Sequence, residues 1–432
     1  MPQHTSAAHA AAAVGDAGRA GIGMPQALRN RRPDLEARAL LRLSNLYSLR
    51  PIEDRSVCTQ REIWRLTALA MGRRVSVDSV RTKLIAGPGG TIETRVYSPR
   101  ASAAARPAFL WCHGGGFMVG GLDTADSICR NIACIADCVV VAVRYRLAPE
   151  HELTACREDF LAVLDWVSTQ GATLGIDTTR LAIGGDSAGG NICAAVAQHA
   201  ARHGGPELRL QVLAYPATDL LEEFPSLEEN AKGYLITARM LHRIKDIVLT
   251  TPDAAHPWLS PRRNPDLQGL PPAVVISAGF DPIRDDGLDY AARLRAAGVP
   301  VQLLHYPGQF HGFLNFDAVI GAGRDGLLRI GAALSAAFRG EPAANRTIEI
   351  ADRTPVLRPA LLAAAAEVAM TSLMGWAVAE RWGFTLLGRF APQAANVTRW
   401  LLESRFVPGA FLRRSAIANV DRLAARQTYP AA

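Results

Sequence analysis

Four short stretches of this chain hold residue types that acyl-transfer chemistry uses. Gly185-Asp186-Ser187-Ala188-Gly189 sets a serine among glycines, after the apolar run Leu181–Ile183 and before a small-residue stretch. A sharp strand-to-helix turn would strain the Ser187 backbone and project its hydroxyl above the sheet edge, and flanking glycines relieve the clash. The N-terminus of the following helix adds partial positive charge beside that oxygen. A serine capping a helix is the blander reading; the strand and helix on either side favour a nucleophile. His113-Gly114-Gly115-Gly116-Phe117 directly follows the apolar run Ala108–Cys112. Three consecutive glycines have no core role, but they let backbone N–H groups converge on one point. Gly114 and Gly115, with Ala188, are the candidate oxyanion donors. His113 fits a structural role, holding this loop through its side chain.

A nucleophilic serine needs a base, and the base needs an orienting carboxylate. The expected chain order is Ser, acid, His. Asp281 follows the run Val274–Ser277, and His311 follows Val301–His305. Both lie just past strands, at the edge where open α/β sheets gather their sites. Asp285 and Asp286 compete for the acid role but fall in the first turn of a helix, where carboxylates are favoured anyway. His305 competes with His311, but its place inside a strand suits a structural role.

Together these stretches resemble the hormone-sensitive lipase-like family of α/β-hydrolases. The matching residues are His113–Phe117, Gly185–Gly189 continued by Gly190-Asn191, Asp281–Gly287 and His311-Gly312-Phe313. Tyr145-Arg146-Leu147-Ala148-Pro149-Glu150-His151 matches a fifth landmark, and the resemblance spans residues 75–340. It implies an eight-stranded α/β-hydrolase sheet, a helical cap and carboxylesterase or lipase activity on short- or medium-chain esters, with no metal or cofactor. In the family, the positions matching Ser187, Asp281 and His311 form the triad, and those matching Gly114, Gly115 and Ala188 the oxyanion hole. Two departures stand out. Glu152-Leu153-Thr154-Ala155-Cys156 replaces the usual Pro and Phe residues, and Arg144 stands where a small or acidic residue is common. Both touch loop packing and the pocket rim, not the triad. An amidase, a deacetylase or an acyltransferase would use the same triad. Some relatives are hormone receptors that have lost the catalytic His; His311 argues against a non-catalytic small-molecule receptor here.

The elements that must position these residues follow from periodicity. Val139–Val143 and Ala108–Cys112 are continuous apolar runs, as strands buried on both faces require. Further runs alternate with helical patterns over 152–168, after Ser187, over 285–297 and over 314–337. Such alternation predicts an α/β fold, a mostly parallel sheet with helices on both faces. Val80–Ile85 and Ile92–Tyr97 flank Gly87-Pro88-Gly89-Gly90 and read as a hairpin. Arg32–Arg73 is helical by spacing, and residues 216–260 break the rhythm apart from an amphipathic stretch at Ile236–Leu249. The expected organisation is a disordered arm over 1–30, a catalytic domain over 31–340 with a cap from 31–75 and 216–260, and a helical extension over 341–432. Leu43, Tyr47, Trp64, Phe224, Leu235 and Leu241 of the cap either line an acyl pocket or pack among themselves.

Charge narrows the partners. The formal net charge is +7, but residues 76–340 carry −3, while 1–75 carry +6 and 341–432 carry +4. The part with the chemistry thus offers no nucleic-acid surface. Residues 341–432 hold eight of the 28 aromatics, which is unlike typical disorder. Leu412, Ala416, Val420 and Leu423 suit one helix face, with Arg413, Arg414, Arg422 and Arg426 mostly elsewhere. Helices docked on the catalytic domain or on a homodimer partner are the simpler expectation for this extension. Peripheral contact with a membrane is the sharper one. With no membrane-spanning run and no signal-peptide pattern, a cytoplasmic location is expected. The seven Cys residues form no C-x-x-C pair and lie mostly in apolar stretches, which predicts buried, reduced thiols.

Overall fold

Ser56 accepts the Thr59 N–H and caps a helix. That helix, Val57–Met71 (α2), follows Leu35–Tyr47 (α1) in the computed structural model, which describes residues 32–47, 51–250, 253–350 and 360–390. Next comes the hairpin of Ser79–Gly87 (β1) and Gly90–Ser98 (β2). Arg106–Cys112 (β3) is buried at its last six positions and Val139–Val143 (β4) at all five, so apolar side chains pack on both faces. Side chains alternate between the two cores: Ala108, Leu110 and Cys112 enter one, Phe109 and Trp111 the other. Leu122–Ala136 (α3) connects these two parallel strands.

The chain then crosses to the other side of β3. Leu153–Gln170 (α4), Ile176–Asp186 (β5), Ala188–Arg202 (α5) and Leu208–Ala214 (β6) follow. Pro225–Glu229 (α6) and Ala238–Val248 (α7) belong to an irregular excursion over the sheet's end. Ala273–Phe280 (β7), Arg284–Ala296 (α8), Val301–Phe310 (β8) and Gly321–Phe338 (α9) resume the alternation. Arg346–Glu349 (β9) and Ala360–Phe390 (α10) come last.

The strand order is β1-β2-β4-β3-β5-β6-β7-β8-β9. It is parallel from β4 to β9, and β2 pairs antiparallel with both β1 and β4. Helices α4, α5 and α8 cover one face, α3 and α9 the other. The order reverses at β3, so the carboxyl ends of β3 and β5 form the crevice where such sheets bind ligands.

Four features differ from the sequence reading. The sheet has nine strands rather than eight, because residues beyond 340 return to pair β9 with β8. Helix α3 is additional. The helix expected over 314–337 divides into a short turn at Phe313–Phe316 and α9. Buried Asp317 makes the break, accepting from Ser127 Oγ at 2.7 Å and the Arg73 N–H at 2.9 Å, which ties the chain to α3 and to the residues just beyond α2. Finally, Cys58 and Cys134 are exposed; the other five thiols are buried and all seven are free. The expected N-terminal arm and the Leu412–Leu423 stripe lie outside the described residues.

Candidate active site

A single residue separates β5 from α5. Ser187 takes φ 55° and ψ −119°, a conformation that costs an L-residue energy and needs its surroundings to enforce it. Its N–H donates to Ala214 O at 2.9 Å, and its carbonyl accepts from Asn191 N at 3.1 Å. The first turn of α5 runs so near the end of β3 that a Cβ on Gly189 would sit 2.1 Å from Cys112 O. Only glycine fits there, which accounts for the pentapeptide's last residue.

The ends of β7 and β8 pair through Phe280 and Phe310, so the loops after them leave the sheet side by side. Asp281 Oδ2 lies 2.7 Å from His311 Nδ1, and His311 Nε2 lies 2.8 Å from Ser187 Oγ. Both distances are within hydrogen-bond range. The second oxygen of Asp281 accepts the Ile283 N–H at 2.9 Å, and Asn230 of the excursion donates to the Asp281 carbonyl at 3.1 Å. Asp281 and His311 are buried, while Ser187 borders a cavity.

The competing residues are engaged elsewhere. Asp285 accepts the Ser226 N–H and pairs with Arg284. Asp286 accepts from Thr218 N and Oγ1, and burial pushes its carboxyl up to about 7. His305 meets Ser277 Oγ at 2.7 Å within the sheet.

The glycine loop corrects one expectation. The Gly114 N–H donates to Asp186 Oδ1 at 2.8 Å. Asp186 is a buried carboxylate, and a buried carboxylate without donors is costly. Gly114 is therefore committed to Asp186 and away from the cavity, whereas Gly115, Gly116 and Ala188 line it. No partner for these three N–H groups occurs among the described residues. Gly115 has φ +123°, and a Cβ there would lie 2.2 Å from Val119 O. His113 stacks on Tyr145 with ring centroids 4.2 Å apart, and its Nδ1 lies 2.8 Å from Gly114 O. Burial pushes this imidazole down to about 4.

Three supporting residues carry no local sequence signal. Asp186 looks like spacing inside the pentapeptide. Arg61 of α2 donates to Met118 O at 2.7 Å and Ala148 O at 2.9 Å and forks onto the Glu150 carboxylate, pinning the chain just after the glycine loop. Arg157 is fully buried, donates to Asn191 Oδ1 at 2.5 Å and lies over the Phe117 ring at 5.3 Å.

The cavity measures about 190 Å³. Trp64 from α2, Phe224 and Leu235 from the excursion, and Leu241 and Ile244 from α7 form its apolar wall. Leu43 does not reach it; that residue is buried beside Gly375 of α10. The Tyr47 side chain lies outside the described residues.

A family described by its α/β-hydrolase fold matches residues 109–315. An esterase, LipI, from Mycobacterium tuberculosis is 41% identical over 263 residues, covering 59% of this chain and 81% of the relative. An ethyl acetate hydrolase from Pseudomonas putida is 36% identical over 280 residues, covering 64% of this chain and 88% of the relative. Among solved structures, a hyperthermophilic esterase from the archaeon Pyrobaculum calidifontis superimposes with a TM-score of 0.66 at 37% identity, covering 69% of this chain and 96% of that one. The chain belongs to the hormone-sensitive lipase-like family of α/β-hydrolases, a family of ester-hydrolysing enzymes. The rest of this chain lies outside that superposition.

Proposed function

We propose that this chain is a serine carboxylesterase acting on short- to medium-chain carboxylic esters through Ser187, His311 and Asp281. The observation that carries the reading is the unbroken relay from Asp281 Oδ2 through both His311 nitrogens to Ser187 Oγ, at the floor of an apolar cavity. His311 Nε2 takes the hydroxyl proton as Ser187 Oγ attacks the ester carbonyl. Asp281 fixes the tautomer that carries a proton on Nδ1 and stabilises the imidazolium. The N–H groups of Gly115, Gly116 and Ala188 receive the oxyanion, and one such donor is typically worth ~3 kcal/mol of barrier. Protonated His311 then delivers its proton to the departing alkoxide. The acyl group remains on Ser187 until a water, deprotonated by the same imidazole, releases the acid.

The cavity is smaller than the ~300–1,000 Å³ usual for drug-sized ligands, which supports a short acyl chain. The names of the relatives, an esterase and an ethyl acetate hydrolase, support an ester rather than an amide. Ser187→Ala is expected to abolish turnover of an activated butyrate ester while the protein keeps its thermal unfolding transition. Turnover that survives would move the nucleophile elsewhere. Faster turnover of the matched amide, or of an alcohol acceptor over water, would replace the esterase reading by an amidase or acyltransferase.

A further inference from the structure

A helix on a protein surface normally turns its polar side outward. Helix α10 is apolar on both sides. Met370, Met374, Val378 and Trp382 pack inward against the core, and two charges anchor that side: Glu367 pairs with Arg38 at 3.0 Å and Arg42 at 2.7 Å on α1. Arg381 donates to Ala70 O and, at 2.8 Å, to Gly72 O at the end of α2. Met374 is buried between these anchors. Along the opposite side, Val368, Leu373, Trp376, Ala379, Gly383 and Leu386 recur at steps of three to five residues and are exposed. Val368 is 66% exposed, Leu373 61%, Trp376 55% and Leu386 41%, values that no scattered surface side chain accounts for together. The inward anchors at Glu367 and Arg381 fix the rotation of the helix, so it presents this apolar stripe outward, with the half-buried Glu380 on the same side.

We propose that this stripe docks on an anionic lipid surface. Two observations favour lipid over protein. Trp376 sits mid-stripe, and Trp prefers the membrane–water boundary. The chain that follows α10 directly, residues 391–432, carries six Arg against two acidic residues, together with Trp400, Phe406, Phe411 and Tyr429. An apolar helix face next to a basic segment supplies the two signals that stable membrane association needs. The contact is peripheral, since no helix among the described residues is long and apolar enough to cross a bilayer. The docking surface is separate from the ester site: no described side chain of α10 lines the cavity.

The test is co-sedimentation of the full chain with vesicles of equimolar phosphatidylcholine and phosphatidylglycerol, and with phosphatidylcholine alone. The full chain is expected to pellet with the anionic vesicles, less so as salt is added, and only weakly with the neutral ones. Leu373→Glu with Trp376→Glu should lower the partition coefficient at least about tenfold. Turnover of a water-soluble ester should stay unchanged in that variant, which shows that it folds. Ser187→Ala should pellet as the parent does, so loss of the esterase reading would leave the docking result standing. Absence of the full chain from the anionic pellet, or equal pelleting of parent and double variant, overturns the proposal. A concentration-dependent dimer that the double variant abolishes also overturns it, assigning the stripe to a second copy of the chain.

Discussion

Asp281 touches no reacting atom in the proposed mechanism; it acts through His311 Nδ1, 2.7 Å away. Asp281→Asn keeps the shape but offers an amide where a carboxylate is needed, and so favours the wrong tautomer. Its kcat should fall by about four orders of magnitude with KM little changed. Steady-state kinetics on a butyrate ester measure this, and a loss confined to KM would remove Asp281 from the relay. His113 makes a different prediction. Its folded pKa is near 4, against about 6.5 in an unfolded chain. A depressed pKa means that the unfolded state binds the proton first as pH falls. The contribution to stability is complete above about pH 6.5 and drains away as pH falls toward 4, ~3 kcal/mol in all. Denaturant midpoints over that interval should fall less steeply in His113→Gln than in the parent; parallel slopes would place the acid lability elsewhere. At this scale the three residues that the structure brings within hydrogen-bond distance, Ser187, Asp281 and His311, were legible because each follows an apolar run in a fixed order. Gly114 was misassigned because the free glycine N–H is chosen by the direction of the Asp186 carboxylate, which composition does not encode.

The element that joins the cavity wall to the glycine loop is α2. Trp64 on this helix closes the cavity, and Arg61, one turn earlier, holds the glycine loop through Met118 O and Ala148 O. Arg61→Ala should displace the oxyanion donors and lower kcat about tenfold or more, with a smaller change in KM. Arg61→Lys, which cannot fork between two carbonyls and Glu150, should recover part of the rate. If both variants matched the parent, the clamp would be packing alone. Helix α7 governs the other wall. Leu241→Ala opens space in the cavity, and each added methylene that finds an apolar wall is worth ~0.8 kcal/mol. The ratio of kcat/KM on octanoate to that on butyrate should rise several-fold; an unchanged ratio would place the acyl chain elsewhere. The period of α3 was present in the sequence, with Leu122, Ala125, Ile128 and Ile132 at three- and four-residue steps facing the core. The break at Asp317 was not legible, since three of its partners, Ser127, Asn131 and Arg73, are close to two hundred residues away or more.

Across the whole molecule, charge follows chain position: residues 76–340, at −3, hold β1 to β8, and the basic flanks hold α1 and α2 on one side and β9 and α10 on the other. What the partition did not reveal is that the extension is built onto the enzyme at two places. Strand β9 prolongs the sheet along Gln302–His305, and α10 lies across α1 and α2. The attachment of α10 rests unequally on its anchors. The Glu367 pair with Arg42 is half-exposed, and such pairs contribute ~0–1 kcal/mol. Arg381 is part-buried and donates to two carbonyls at the end of α2 that lose their charged donor if it is removed. A lost charged hydrogen bond costs ~1.5–3 kcal/mol. Arg381→Ala should therefore raise the population of a state with α10 detached about 10- to 150-fold, and Glu367→Gln by no more than a few-fold. Amide hydrogen exchange reads this directly. The α10 amides should exchange faster in Arg381→Ala, while those of β3, β5 and β7, buried on both faces, keep the parent's protection. Faster exchange spread evenly over helix and sheet would mean that the extension opens with the catalytic core as one unit, and that α10 is part of the enzyme's folding core rather than an element docked upon it.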